Sequence, residues 1–187
     1  MKRKAQAIEP LAPVYNRFTS QTLWISGNTD EALAIAKSLP QDFDARPELL
    51  ARIYASLGRY GDAADALSAI SPDTYLPGTV EMAVRLLRQA PNTAASAQNL
   101  PRLGVLGFVY LYAGAPERTL DVFDTAAQAG ILVPFNYSVL WHPSYAPVRK
   151  TQRFKKFARD AGLVEYWKAR GWPDLCHPTA GDDFACE

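Results

Sequence analysis

The sequence predicts an all-α fold built from helical hairpins that stack on one another. Three stretches carry large, glycine, small and apolar residues at identical offsets, and those offsets follow helical periodicity. The copies are Leu23-Gly27-Ala32-Ala36-Leu39, Tyr54-Gly58-Ala63-Leu67-Ile70 and Tyr110-Gly114-Thr119-Phe123-Ala126. A hydrophobic content of 48% and a charged content of 21% are typical of a folded domain. Because a single hairpin cannot bury its apolar face alone, the copies are expected to stack.

The glycine of each copy is predicted to lie near the end of a first helix. It follows the large residue by four positions, which places both on one helix face. We expect the glycine to let a second helix cross closely. Thr29-Asp30 and Asp62 precede alanine-rich runs and are typical N-cap residues, and Pro116 suits a first helical turn.

The spacing of the copies is irregular. The interval from Gly58 to Gly114 is much longer than that from Gly27 to Gly58. It leaves room for an additional helix over 79–90 and a loop over 91–101. The sequence therefore predicts a less regular array than an ideal repeat protein.

The C-terminal part follows a different pattern. The stretch 140–147 contains too much proline to be one helix. A helix is predicted over 153–161, ending at Gly162, and a second short helix over 163–170. The remainder, 171–187, is predicted to be an irregular tail with anchoring aromatic residues.

The repeat skeleton resembles the tetratricopeptide (TPR) repeat, whose consensus has a bulky residue, glycine, alanine and an aromatic residue at these offsets. The second copy follows it except at Ile70, the third departs at Thr119, and the first has Ala36 in place of the aromatic residue. The resemblance implies a right-handed α-solenoid. Residues 1–127 would form about three degenerate TPR-like repeats, and residues 128–187 a C-terminal helical cap with its tail.

Residues 5–10 resemble the end of a preceding repeat, in register with the first copy. This predicts a module that was once part of a longer array. The alternative is an ordinary lead-in to the first helix.

The C-terminal block resembles a more particular group. The stretches 140–149, 153–167 and 172–176, with Phe184-Ala185-Cys186, are similar to the end of the TPR sensory region of proteobacterial adenylate cyclases and winged-helix regulators. The resemblance implies a regulatory or sensory module of a bacterial signalling protein. We find neither a cyclase domain nor a winged helix in the sequence.

The TPR resemblance also implies a concave groove lined by set positions of each first helix. These positions are Arg17, Gln21, Trp24, Glu48, Arg52, Ser56, Phe108 and Tyr112. A mixture of aromatic residues and arginine suits peptide recognition. The alternative for Trp24 and Phe108 is packing into neighbouring repeats.

Cys176 and Cys186 leave three alternatives open. A disulfide would close a short loop and would indicate an oxidising compartment, such as the periplasm if the chain belongs to a longer membrane-tethered protein. Two reduced, buried thiols would agree with the absence of an export signal and a cytoplasmic location. A metal site with His177 lacks a fourth ligand at standard spacing.

Other features argue against several functional classes. We find no phosphate-binding, metalloprotease, nucleophile-elbow or dinucleotide motif, and His142 has no accompanying catalytic motif, so we expect no enzyme, cofactor or metal. The net charge of +1 argues against direct nucleic-acid binding. No apolar run is long enough for a membrane span.

A basic segment is either a patch for anionic partners or a solvated helix face. Its members are Arg149, Lys150, Arg153, Lys155, Lys156, Arg159, Lys168 and Arg170.

The sequence thus predicts a protein–protein interaction scaffold that binds a protein or peptide, with its oligomeric state unspecified. The alternative is a small-molecule sensor that holds its ligand between the array and the aromatic tail, near Trp141 or Trp172. A third hypothesis is an enzyme around His142 and Cys176.

Overall fold

The computed structural model describes residues 12–91, 99–129 and 137–187, and the chain is mostly helical in these ranges. The predicted all-α character is confirmed at this level. The predicted repeat remnant at 5–10 and most of the predicted loop over 91–101 lie outside the described residues.

The first part of the chain forms five α-helices, each of which packs on the next. They are α1 (Pro13–Ile25), α2 (Thr29–Ser38), α3 (Ala45–Ser56), α4 (Tyr60–Ser68) and α5 (Thr79–Gln89). The first four helices form the two predicted hairpins, and α5 is the predicted additional helix.

The repeated glycines end helices in the left-handed region of backbone space. Gly27, Gly58 and Gly114 have φ angles of 82°, 73° and 74°. No atom lies within 4 Å of a Cβ placed on Gly27 or Gly58. The prediction that these two glycines allow a second helix to cross closely is therefore wrong. Glycine is favoured because it adopts a positive φ without steric cost.

The same helix ends explain the four-residue offset in the skeleton. In each copy, the main-chain N–H of the residue after the glycine donates to the carbonyl of the large residue, which lies four positions before the glycine. This hydrogen bond is the longer-range of the two that define a Schellman motif. The bonds join Asn28 to Leu23 (2.8 Å), Arg59 to Tyr54 (2.9 Å) and Ala115 to Tyr110 (3.1 Å).

The predicted N-caps of the second helices are wrong. Asn28 and Arg59 occupy the N-cap positions, and neither side chain caps its helix. Thr29, Asp30 and Asp62 lie inside the first turns instead. The two carboxylates there interact favourably with the positive end of the helix dipole.

The third copy departs from α-helical geometry. Its first segment, Gly104–Leu111, is a 3-10 helix, and its second begins as a 3-10 helix over Pro116–Leu120 before α6 (Asp121–Gln128). Two glycines and two valines in the first segment are poor helix formers.

The C-terminal part contains two short 3-10 turns, Ser138–Trp141 and Pro143–Tyr145. They are followed by α7 (Ala146–Arg149), α8 (Gln152–Asp160) and α9 (Leu163–Arg170). Helices α8 and α9 lie where the sequence predicts them.

The predicted irregular tail contains a small β-hairpin, so this prediction is wrong in part. β1 (Cys176–Pro178) pairs antiparallel with β2 (Phe184–Cys186), with Cys176 opposite Cys186 and His177 opposite Ala185. Fully buried Phe184 anchors the hairpin to the core.

The larger core cluster draws residues from both predicted segments, 1–127 and 128–187. It joins Leu23 and Trp24 of α1 and Ile53 of α3 to Leu140 and Phe184. A smaller cluster lies beneath α4, α5 and the 3-10 helix Gly104–Leu111. The C-terminal part thus packs against the first hairpin.

None of the helices in the described ranges has both the length and the apolar character needed to cross a bilayer.

Candidate functional site

The predicted groove residues lie on α1, α3 and the 3-10 helix Gly104–Leu111, with Tyr112 directly after it. Trp24 and Arg52 contact the segment 138–145 of the same chain. We call this stretch the covering segment. It fills part of the surface that the sequence predicts to be a groove for a partner.

Trp24 is held between α3 and the covering segment. Its side chain is 1% exposed, and its Nε1–H donates to Ser56 Oγ at 2.9 Å. The indole stacks on the His142 ring with the centroids 4.0 Å apart. Trp24 is therefore a core residue that fixes the C-terminal part to the first hairpin.

Arg52 is the most extensively bonded of the predicted groove residues. It donates to Glu48 Oε1 at 2.9 Å, to the Tyr145 hydroxyl at 3.1 Å and to the Val105 carbonyl at 2.9 Å. Its guanidinium also lies 4.5 Å from the ring centroid of Phe108. Its donors are thus directed to groups of the same chain.

Of the two aromatic residues predicted from the third copy, Phe108 is buried and Tyr112 is half-buried. Phe108 is buried beneath Arg52. The ring of Tyr112 lies 5.5 Å from that of Tyr60, and burial raises the pKa of the Tyr112 phenol. Trp24 and Phe108 are thus both buried within the chain.

His142 is buried and neutral at pH 7. Its side chain is 6% exposed, and Nδ1 accepts the Ser144 N–H at 3.1 Å. Burial, with the nearby Arg149 charge, lowers the pKa of His142 to about 4. The imidazole therefore serves as a stacking surface for Trp24 and as a turn acceptor.

Arg149 is a structural residue that sequence reasoning placed in the basic segment. It is 3% exposed and donates to the main-chain oxygens of Leu140 (2.6 Å), His142 (3.1 Å) and Glu187 (2.8 Å). It thus joins the covering segment to the end of β2. No local sequence pattern distinguishes Arg149 from the exposed residues of the basic segment.

Other residues of the basic segment pair with nearby carboxylates. The pairs are Arg153 with Asp121 and Asp124 (both 2.7 Å), Lys155 with Asp183 (2.5 Å), Arg159 with Asp183 (2.7 Å) and Lys156 with Asp160. The hydrogen bond from Lys155 holds the pKa of the Asp183 carboxyl down to about 2. Much of the positive charge of this segment is therefore locally compensated.

A cavity of about 240 Å³ lies between α1, α3, α6 and the residues that begin the covering segment. Four predicted groove residues, Arg17, Gln21, Glu48 and Arg52, line it. Half of the predicted groove residues thus border this partly open cavity.

The polar side of the cavity contains the Glu48–Arg52 ion pair together with Gln21 and Arg17. Glu48 pairs with Arg52 at 2.8 Å and accepts the Tyr75 hydroxyl at 3.4 Å. Gln21 is 7% exposed, and no described residue hydrogen-bonds its amide. Arg17, one helical turn earlier on the same face, forms no ion pair within the described residues.

The rest of the lining is mostly apolar, including Leu49, Val105, Phe123 and Val139. Tyr137 also lines the cavity, and its hydroxyl is shielded from solvent without a hydrogen-bond partner in the described part of the chain. Burial raises the pKa of this phenol. Nothing in the local sequence pattern marks Tyr137 as a site residue.

The aromatic tail residues pack on one another. Trp167 lies 6.2 Å from Trp141, 5.5 Å from Trp172 and 5.7 Å from Phe184, measured between ring centroids. Neither Trp141 nor Trp172 lines the cavity.

Cys176 and Cys186 form a disulfide, with their sulfur atoms 2.04 Å apart and both side chains buried. His177, on the adjacent strand position, is exposed. Across the described ranges, no group of three or more histidine, cysteine or carboxylate residues is arranged to hold a metal ion.

No protein-family model matches this chain, and neither a curated protein nor a solved structure matches it. The repeat resemblance therefore depends on the chain's own residues.

Proposed function

We propose that this chain is a TPR-like binding module, a right-handed helical-hairpin solenoid with a C-terminal cap, that serves as the regulatory or sensory part of a bacterial signalling protein. Three features support the proposal: the identical offsets in the three copies, the shared hydrogen bond at their helix ends, and the packing of each helix on the next. The similarity of the C-terminal block to known sensory regions supports the signalling role.

The ligand in this proposal is a small molecule bound in the cavity. One observation carries it: Tyr137 lines the cavity, yet its hydroxyl is shielded from solvent and has no hydrogen-bond partner among the described residues. Buried polar groups in native proteins are nearly always hydrogen-bonded, so an unpaired one beside a cavity favours a missing partner there. The mixture of an apolar wall with a few convergent polar groups is typical of small-molecule sites.

The module binds rather than catalyses in this proposal. His142, the candidate base, already accepts a hydrogen bond at Nδ1 and stacks on Trp24. Cys176, its candidate partner in an enzyme, is bonded to Cys186.

The proposal is tested by a fragment screen with amide-resolved NMR on the whole chain and on two variants. Bound fragments should shift the amide signals of Gln21, Val105 and Val139. Ala126→Phe places a ring in the cavity lining and should abolish these shifts, whereas Ala69→Phe, at an exposed position away from the cavity, should leave them unchanged. Equal binding by the Ala126→Phe variant, or shifts confined to other regions, would overturn the proposal.

A protein–protein interaction scaffold is the second candidate, and a specific observation favours it. The covering segment lies on the predicted groove as a bound peptide would, with His142 on Trp24 and Tyr145 on Arg52. A partner carrying a similar segment could exchange with it.

A labelled peptide with the sequence of residues 138–145 tests this second candidate. Tyr145→Phe removes the hydroxyl that Arg52 contacts and should loosen the covering segment. The scaffold hypothesis predicts tighter peptide binding by this variant than by wild type, measured by fluorescence anisotropy. Tyr166→Phe, at an exposed position, is the control. Absence of binding by all three proteins, or equal binding of a scrambled peptide, would exclude exchange at this surface.

A further inference from the structure

We propose that the ligand of the cavity is a small organic monoanion, a monocarboxylate with a short apolar body, whose carboxylate is bound by Arg17 and Gln21. This inference rests on the proposed small-molecule function and names the chemical class of the ligand. Neither the repeat resemblance nor the sequence pattern assigns it.

The charge of the lining favours an anion. Three charged side chains border the cavity: Arg17, Arg52 and Glu48. Glu48 and Arg52 neutralise each other at 2.8 Å, and the donors of Arg52 are directed to three protein groups. The remaining positive charge is that of Arg17, which has no carboxylate partner among the described residues. A guanidinium binds a carboxylate through two parallel, charge-assisted hydrogen bonds.

Gln21 supplies the second contact in this arrangement. It lies four residues after Arg17 on α1, so both side chains project from one helix face. Gln21 lines the cavity, and its amide N–H₂ can donate to a carboxylate oxygen there. Tyr137, whose hydroxyl is also unpartnered in the described residues, lines the same cavity.

The apolar part of the lining and the volume of the cavity indicate what the body of the ligand is like. Leu49, Phe123 and Val139 offer an apolar wall that fits a hydrocarbon body. The cavity of about 240 Å³ lies below the range of roughly 300–1,000 Å³ typical of sites for drug-sized ligands. The charged side chains of the lining sum to one positive charge, which matches a monoanion and disfavours a dianionic phosphate monoester.

A matched pair of probes tests the inference by isothermal titration. Isocaproate and isocaproamide have nearly the same shape, and only the first is charged. Wild type should bind isocaproate at least about tenfold more tightly, which corresponds to about 1.4 kcal/mol. Arg17→Gln should remove this preference while the amide still binds. Arg85→Gln makes the same charge change at an exposed position outside the cavity and should keep the preference.

Gln21→Leu separates a binding role from a structural one. Because the variant breaks no hydrogen bond to a described residue, its melting temperature should stay close to that of wild type. Its affinity for isocaproate should nevertheless fall several-fold. A fall in both stability and affinity would indicate a structural role and contradict this assignment of Gln21.

The outcomes distinguish the inference that the ligand is an anion from the proposal that the cavity binds a small molecule. Equal binding of isocaproate and isocaproamide by wild type, blocked in Ala126→Phe, would overturn the anion and leave the small-molecule cavity. An unchanged acid preference in Arg17→Gln would overturn the role of Arg17. Binding of neither probe, together with no fragment-induced shifts at Gln21 or Val139, would overturn both the inference and the proposed function.

Discussion

Trp24 and His142 stack with their ring centroids 4.0 Å apart and their planes 20° apart. Trp24 lies on α1, His142 lies between two 3-10 turns, and the indole N–H donates to Ser56 at the end of α3. The contact therefore joins the first hairpin, the second hairpin and the covering segment. A stacked aromatic pair adds about 0.5–1.5 kcal/mol beyond the burial of the rings.

Protonation of His142 should weaken the fold in mild acid. The folded-state pKa of about 4 lies below the ordinary value of 6.5, so folding favours the neutral imidazole. The stabilisation is complete above pH 6.5 and is lost as the pH falls from 6.5 to about 4, with a total of about 3 kcal/mol. Urea denaturation at a series of pH values measures this slope in wild type.

Two variants separate the contribution of His142 to the pH dependence of stability from that of carboxylates that titrate in the same pH range. His142→Phe keeps an aromatic ring against Trp24 but cannot titrate, so it should lose less stability than wild type between pH 6.5 and pH 4. His177→Phe, at the exposed position on β1, should retain the wild-type slope. Identical slopes in wild type and His142→Phe would show that the pKa of His142 is not lowered by folding.

The helices could be predicted from the sequence because their signals are local. The apolar periodicity and the helix-end signals place α5, α8 and α9 within one residue of their observed bounds. The hairpin of β1 and β2 was missed because three-residue strands are too short to show a period. The 3-10 geometry of the third copy was missed because the skeleton specifies contacts and not the helix type.

Arg149→Met should destabilise the C-terminal part. It removes the donors for the main-chain oxygens of Leu140, His142 and Glu187, of which the His142 oxygen still accepts the Tyr145 N–H. We expect a loss of about 2–4 kcal/mol and faster trimming of the tail by carboxypeptidase. Lys150→Met changes the exposed neighbour and should stay within about 0.5 kcal/mol of wild type. Equal trimming rates in both variants would contradict the tethering role.

Loss of the Cys176–Cys186 bridge should destabilise the tail and leave the hairpins of α1 to α4 folded. The bridge closes a loop with a sequence separation of 10, which corresponds to about 2–3 kcal/mol in the chain-entropy account. The melting temperature of wild type should fall on reduction, and its denatured mass should rise by two hydrogen atoms. Cys176→Ala/Cys186→Ala should not respond to reductant. A wild-type mass that reduction leaves unchanged would mean that the two cysteines are packing thiols.

Only the part of the candidate site that lies on α1 and α3 could be predicted from the sequence. The TPR resemblance selects faces of α1 and α3 from which Arg17, Gln21, Glu48 and Arg52 line one cavity. Local periodicity contains no information about which distant segment covers those faces. The role of the covering segment, and of Tyr137 beside it, therefore follows only from the three-dimensional structure.

The two glycines at the α3–α4 connection should respond to alanine with opposite signs. Gly58 has a φ of 73°, and a Cβ there would meet no atom within 4 Å, so Gly58→Ala should cost about 1 kcal/mol through backbone strain alone. Gly61 lies in the first turn of α4 with an equally open Cβ position and no positive φ. Gly61→Ala should therefore stabilise the protein by about 0.5 kcal/mol.

Gly58→Asn is the discriminating control, because asparagine tolerates the left-handed region better than alanine does. It should recover part of the stability lost in Gly58→Ala, as measured by urea midpoints. If Gly58→Asn is instead less stable than Gly58→Ala, side-chain size is the limiting factor. The glycine of the repeat skeleton would then serve close packing, as the sequence alone predicts, rather than the helix end seen in the structure.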